Sequence, residues 1–459
     1  MNVLIILSVL AIVNLYLGLF RGKRALIPVT VIGLLGAAAA AVAEWNVFPE
    51  PIFSGMMLFD NFAIAFSVIT ILSTLLIVVI SSDYFSRISE HTAEYYAIML
   101  FALAGIIVMV SYHNLSMLFI GIEIMSVSSY ILAGIKKKDV ASNEAALKYF
   151  LMGAFSTGFL LFGITLLYGA TGSFDLEGIR QYVIANPAGI STLFYSGIVL
   201  ITVGLCFKVG AAPFHFWTPD VYEGSPTLIT AFMSTVVKTA GFAAFLRLFA
   251  TCFAPLHDFW VPLILVITVI TLFIGNITAL YQHSFKRMLA YSSISHAGYM
   301  LFAIVSLGAE SSNAVFLYAT AYSVATIVAF AVLILVQRLT GSDHYDSFNG
   351  LAAKNPFLAF TLTVAMLSLA GIPLTAGFMG KFMMFSSALS GYHIILVVLA
   401  VLNAVIGMFY YLRVIVAMYF REGGNAEVPV SPYYRVVLAV SAVVTIILGI
   451  FPALISNLL

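Results

Sequence analysis

The chain has 459 residues, 62% of them hydrophobic and 8% charged, with a formal net charge of +1. Soluble domains carry about 25% charged residues, so this composition excludes a soluble globular protein, and the near-neutral balance gives no basis for a nucleic-acid partner. Its two cysteines, Cys206 and Cys252, form no C-x-x-C pair, which excludes a cluster held by four cysteines. Walker A and strand-flanked G-x-G-x-x-G patterns are missing, so no cofactor and no metal is expected on this chain.

The apolar runs are continuous, as in "LIILSVLAIVNLYLGLF" from Leu4, where barrel strands would alternate. They predict an all-α polytopic membrane protein of about fourteen transmembrane helices. The spans fall near residues 3–20, 25–43, 59–81, 94–111, 114–134, 144–170, 192–216, 226–250, 259–281, 287–308, 312–338, 356–389, 393–419 and 432–454. The first is followed by R-G-K-R, without a small-residue cleavage site, and is read as a retained helix. One set of loops carries Arg21, Lys23 and Arg24, then Lys136, Lys137 and Lys138, then Lys286 and Arg287, then Arg338 and Lys354, then Arg421. The other set carries Glu44, Glu50, Asp175, Glu177, Asp258 and Glu310, with few bases such as Arg180. This asymmetry predicts both termini on the outer side, with "GKR" and "KKKD" acting as topology determinants.

Two spans are interrupted, the seventh at "VGAAPFHFW" and the twelfth at "LAGIPLTAGFMGKF". A mid-span proline frees carbonyls, and such backbone survives in a membrane only when buried in protein or lining water. Matched interruptions five spans apart predict two five-helix units, 94–250 and 259–419, with peripheral helices in 1–81 and 432–459. An odd number of helices reverses direction when repeated, so the second unit is inverted.

Charges inside spans cost roughly 2.5–3.5 kcal/mol each and usually mark ion or proton pathways. Glu123, Lys238 and His296 fall near the centres of spans five, eight and ten; Lys208 precedes the first break and Lys381 follows the second. Packed inward, they form a file along which protons pass through intervening water. Withdrawal from water disfavours a charged lysine and a carboxylate restores it, so neutralising Glu123 would change whether Lys208 holds its proton. Three groups have structural alternatives: Lys148 can snorkel and pair with Glu144 four residues earlier, His296 can be a packing histidine, and His215 can cap a broken helix end.

Six segments carry a resemblance: "LFIGIEIMSVSSYIL", "NEAALKYFLMGAFSTGFLLFG", "FKVGAAPFHFWTPDVYEGSPT", "FMSTVVKTAGF", "QHSFKRMLAYSSISHAGYM" and "LSLAGIPLTAGFMGKF". The chain resembles the antiporter-like, proton-translocating membrane subunits of respiratory complex I, the NADH:quinone oxidoreductase, over nearly its whole length. N-type members are the nearest match, with Lys381 where M-type members have a glutamate and without the long C-terminal extension of L-type members. The resemblance implies fourteen helices in two inverted repeats, broken helices seven and twelve, and proton translocation through Glu123, Lys208 paired with it, Lys238 and Lys381. It also implies a bacterial inner-membrane location, other membrane subunits as partners, a neighbouring antiporter-like subunit among them, and FMN, iron–sulfur clusters and quinone in other subunits, where quinone reduction supplies the energy. Related subunits of multisubunit sodium/proton antiporters and membrane-bound hydrogenases are the alternative, though lysines repel Na⁺ and no oxygen-rich cluster is visible. A scaffold without pumping of its own is another.

Overall fold

The computed structural model describes residues 2–20, 23–47, 50–88, 91–186, 189–308, 310–390, 394–423 and 427–459; Arg21, expected among the basic loop residues, lies outside them. Among the described residues the regular structure is helical, with only isolated strand-like bridges. Twelve helical stretches are long and apolar enough to cross a membrane, one of them the 54-residue run Thr227–Leu280.

In chain order the helices are α1 (Asn2–Leu19), α2 (Leu26–Ala43), α3 (Asn61–Ile80), α4 (Thr92–Ser111), α5 (Leu115–Ala133), α6 (Val140–Thr171), α7 (Leu176–Ala185), α8 (Thr192–Val209), α9 (Trp217–Gly224), α10 (227–248), α11 (His257–Leu280), α12 (Phe285–Val305), α13 (Ser311–Thr340), α14 (Pro356–Ala370), α15 (Ala376–Ser390), α16 (Ile394–Phe420) and α17 (Pro432–Ile450). Side-chain caps start several of them. Asp60 accepts from Ala63 N at 2.8 Å, Asn114 from Ser116 N at 2.8 Å and Ser284 from Arg287 N at 3.1 Å. Each cap satisfies a backbone donor that the first turn leaves free. Ser284 draws Lys286 and Arg287 into the first turn of α12; Arg338 lies in α13 and Lys354 in the short helix Leu351–Lys354. These four bases, expected in loops, are therefore helical.

The expected spans agree with the helices to within a few residues except at the breaks. The expected seventh span covers 192–216, but helix stops at Val209 and resumes as α9; the twelfth divides into α14 and α15. Both stops are built alike. At the first, Gly210 takes φ +72°, its N–H donates to Phe207 O at 3.1 Å and Ala211 N to Cys206 O at 2.8 Å. At the second, Gly371 takes φ +83°, its N–H donates to Ser368 O at 3.0 Å and Ile372 N to Leu367 O at 3.0 Å. This is the Schellman stop, which needs a residue with no Cβ at the left-handed position.

A second matched feature ties helix starts to distant helix ends. Asn114, capping α5, bridges to Asp175 beyond α6, and Ser284, capping α12, bridges to His344 beyond α13. Both α6 and α13 end in Thr-Gly, with Gly172 at φ +71° and Gly341 at φ +72°.

The layout sets α12 and α13 at the centre: 94% and 100% of their most apolar windows are buried, against 28% for α1 and 39% for α17. A polar helix such as α12 can sit in a membrane protein only there. Close helix contacts rest on glycine. A Cβ added to Gly105 in α4 would lie 2.7 Å from Met125 N in α5, and one added to Gly275 in α11 would lie 2.5 Å from Ser295 N in α12. Leucine at either position is expected to force the helices apart and destabilise the protein by about 1–3 kcal/mol or more. Gly36→Leu, where an added Cβ meets nothing within 4 Å, should be neutral; thermal midpoints of the purified variants check the contrast.

Candidate functional site

Helix α12 organises the polar centre. Ser293, His296 and Tyr299 stand three residues apart and so share one helical face, the face that receives groups from α10, α13, α15 and α16. Lys238, buried near the middle of α10 and directly after the π-turn Met233–Val237, donates to Ser293 O at 2.5 Å and also to Ser293 Oγ. His296, also buried, is bonded through both ring nitrogens: Nδ1 to Tyr318 Oη at 2.7 Å, Nε2 to Tyr411 Oη at 3.0 Å. Tyr411 Oη shares a further hydrogen bond with Ser292 Oγ. Lys381 lies 4.8 Å from the ring centroid of Tyr299, with its Nζ donating to Leu369 O and Ala370 O, each at 3.0 Å. Lys238, His296 and Lys381 are thus gathered along one helix face, with hydroxyls between them.

A second cluster forms around Lys208, at the end of α8. Its Nζ donates to Ser126 Oγ at 2.8 Å and Thr157 Oγ1 at 3.2 Å. The expected contact with Glu123 is not direct: among the described residues no Glu123–Lys208 ion pair falls within 4.0 Å. Ser126, the hydroxyl that meets Lys208, stands one turn beyond Glu123 on α5, and Glu123 Oε1 is buried without a hydrogen-bond partner. Phe207 O, next to Lys208, is taken by the Trp217 indole at 3.0 Å, which leaves the lysine free to reach the hydroxyls. No described side chain hydrogen-bonds to both Lys208 and Lys238.

The two remaining candidates lie apart from these clusters. Lys148 pairs with Glu144 at 2.8 Å, as its i,i+4 spacing suggests, and with Asp220 at 2.9 Å, in a group joined by Arg287 and Glu223. His215, inside the first break, lies against Phe216 with ring centroids 4.5 Å apart and planes tilted by 30°, and its Nδ1 is buried without a hydrogen-bond partner. Its ring caps no helix; Thr218 N is bonded instead by His215 O at 2.8 Å.

Sequence reading passed over Ser292, Ser293, Tyr299, Tyr318 and Tyr411, and also Lys286. The signal for the first three was present in "YSSISHAGY", too polar for a lipid-facing span. Lys286 is buried and donates to Glu223 O at 2.8 Å and Ser225 O at 2.5 Å, closing the end of α9. Lys286→Met strands the buried Ser225 O and the part-buried Glu223 O and is expected to cost about 1–3 kcal/mol. Lys148→Met, in a pair about two-fifths exposed, should cost less than Lys286→Met. Thermal unfolding of the two variants decides the order.

Comparison with known proteins places this geometry. Residues 112–407 match the family described as NADH:quinone oxidoreductase/Mrp antiporter, TM. The chain is 40% identical to NADH-quinone oxidoreductase subunit N of Flavobacterium psychrophilum, covering 100% of both chains. It is 43% identical to NADH-quinone oxidoreductase subunit N of Trichlorobacter lovleyi over 98% of this chain and 94% of that one. A chain of respiratory complex I from Thermus thermophilus, solved with bound aureothin, superposes with a TM-score of 0.84 at 33% identity, covering 99% of this chain and 98% of that one.

Proposed function

This chain belongs to the NADH:quinone oxidoreductase and Mrp antiporter transmembrane family, and on that premise we propose that it relays protons along the α12 face from Lys238 through His296 to Lys381. It is a multi-pass membrane subunit of an NADH:quinone oxidoreductase and works beside the other membrane subunits of that complex. One observation carries the relay: His296 is held between two tyrosine hydroxyls, in the stretch of α12 between the residues that meet Lys238 and Lys381. A neutral imidazole donates from one nitrogen and accepts at the other, so a proton taken up on one side is released on the other. Tyr411 extends this path to Ser292, the neighbour of the residue that binds Lys238.

Lys208 supplies the input on this reading. A change of charge at Glu123 reaches it through Ser126 on the same face of α5, and transfer onward to Lys238 is left to water. Quinone reduction drives the cycle, and FMN, iron–sulfur clusters and quinone belong to other subunits. Lys148 and His215 are left at the edge of this path, in the α6 ion pairs and in the first break.

We further place the chain in the bacterial cytoplasmic membrane with both termini outside, as the distribution of Lys136–138 and Arg421 favours. Taking Thr227–Leu280 as two crossings, α8 with α9 as one, and α14 with α15 as one gives fourteen. Two inverted units, 94–250 and 259–419, are supported by the matched Schellman stops, the matched bridges and the matched Thr-Gly helix ends.

Lys238→Met in the assembled complex is expected to abolish the chain's share of proton translocation while assembly is retained. Tyr411→Phe removes one hydroxyl and no charge, and should slow transfer by about 10²-fold. Both are read as the proton-to-electron ratio and pumping rate of the complex in liposomes. Unchanged values in both variants, with normal assembly, would assign the chain a scaffold role.

A further inference from the structure

The turn joining α5 to α6 walls a cleft that the relay does not use. Its volume is about 830 Å³, and its lining includes Lys136, Lys137, Lys138, His91, Tyr95 and Ile135. Asp139, the acid in that lining, accepts from Ala141 N at 3.0 Å to cap α6 and approaches Lys136 only at 3.9 Å. His91 is tied to Glu94 at 3.1 Å. Lys137 and Lys138 are exposed, and among the described residues neither has an ion-pair partner within 4.0 Å. Ammonium groups therefore outnumber the carboxylate in this wall, and Tyr95 steadies it by donating to Ile135 O at 3.4 Å.

We infer that this cleft binds the phosphodiester headgroup of an anionic membrane lipid. Charge selects the anion, and the rim selects lipid over a soluble phosphate. Val140, 79% exposed, lines the cleft, and Ile131 of α5, 52% exposed, lies four residues before Ile135. Val127 and Ile124 continue this apolar ridge along α5, also exposed, giving acyl chains a track that leads away from the lysines. Basic pockets between transmembrane helices recognise lipid headgroups by this pairing of cations with an apolar wall. The lysine run, expected to set topology alone, therefore has a second task.

The test uses the intact complex depleted of lipid and titrated with phosphatidylglycerol. Native mass spectrometry should show one lipid bound about fivefold more weakly for each lysine removed, in Lys137→Gln and in Lys137→Gln/Lys138→Gln, while Lys137→Arg/Lys138→Arg keeps it. In the unaltered complex, phosphatidylglycerol should protect Lys137 and Lys138 from an amine-acylating reagent, whereas phosphatidylcholine and inorganic phosphate should not. This second readout decides the matter if the glutamine variants fail to assemble. Undiminished lipid binding in the glutamine variants overturns the inference. So does protection by inorganic phosphate alone, or protection already complete in the lipid-depleted complex, which would mean that a neighbouring subunit fills the cleft.

Discussion

A helix that stops inside a membrane leaves up to four backbone carbonyls without partners, and lipid offers them none. The structure meets this constraint twice with different donors. At the end of α8 the Trp217 indole takes Phe207 O, and Thr271 of α11 holds the following loop by accepting from Ala212 N at 2.9 Å. At the end of α14 the Lys381 ammonium takes Leu369 O and Ala370 O. Outside the breaks, where α9 ends and α10 begins, Lys286 does the same for Glu223 O and Ser225 O. Where a lysine fills the role, its charge also faces the negative end of the helix dipole. The breaks are thus one reason that charge is present in the apolar core at all.

The kind of partner each cation has then separates two groups, those held by neutral oxygens and those held in ion pairs. Lys208 is held by hydroxyls, Lys238 by a hydroxyl and a carbonyl, and Lys381 by carbonyls. A lysine held by neutral oxygens can give up its proton without stranding a buried carboxylate, the loss that makes breaking an ion pair so costly. Ion pairs are placed away from these groups. Arg247 makes two bonds to Asp60, at 3.0 and 2.5 Å, and Lys148 sits between Glu144 and Asp220. Those pairs lock α3 to α10 and α6 to α9, and they leave the centre free to change its charge state.

Much of this was legible in the sequence because membrane insertion makes each charge in a span conspicuous. Lys238, His296 and Lys381 were marked by cost alone, and the structure brings them to one helix face. Partners were harder to see. Tyr318 and Tyr411 look like ordinary core aromatics in apolar runs, and only the fold aims their hydroxyls at His296. Lys148 has an acid four residues away, so its pairing with Glu144 was readable, whereas Asp220 comes from another helix. Lys286 was misread as a loop charge because a lysine that caps a distant helix end carries no local signature. The matched segments "TGSFD" and "TGSDH", at the ends of α6 and α13, were a readable sign of duplication that the breaks overshadowed.

The duplicated features also give a register between the two halves. Aligning Gly105 with Gly275 sets Asn114 on Ser284, Met125 on Ser295, Glu123 on Ser293 and Ser126 on His296. The helix face that serves Lys208 in the first half is therefore the face that serves Lys238 in the second. In the first, a carboxylate and a hydroxyl occupy it; in the second, a hydroxyl and an imidazole. A carboxylate adds negative charge beside its lysine and so stabilises the ammonium, whereas a serine hydroxyl adds none and an imidazole is neutral or positive. On the proposed relay, the difference at these two aligned positions is what would separate control at the Glu123 end from conduction at the α12 end.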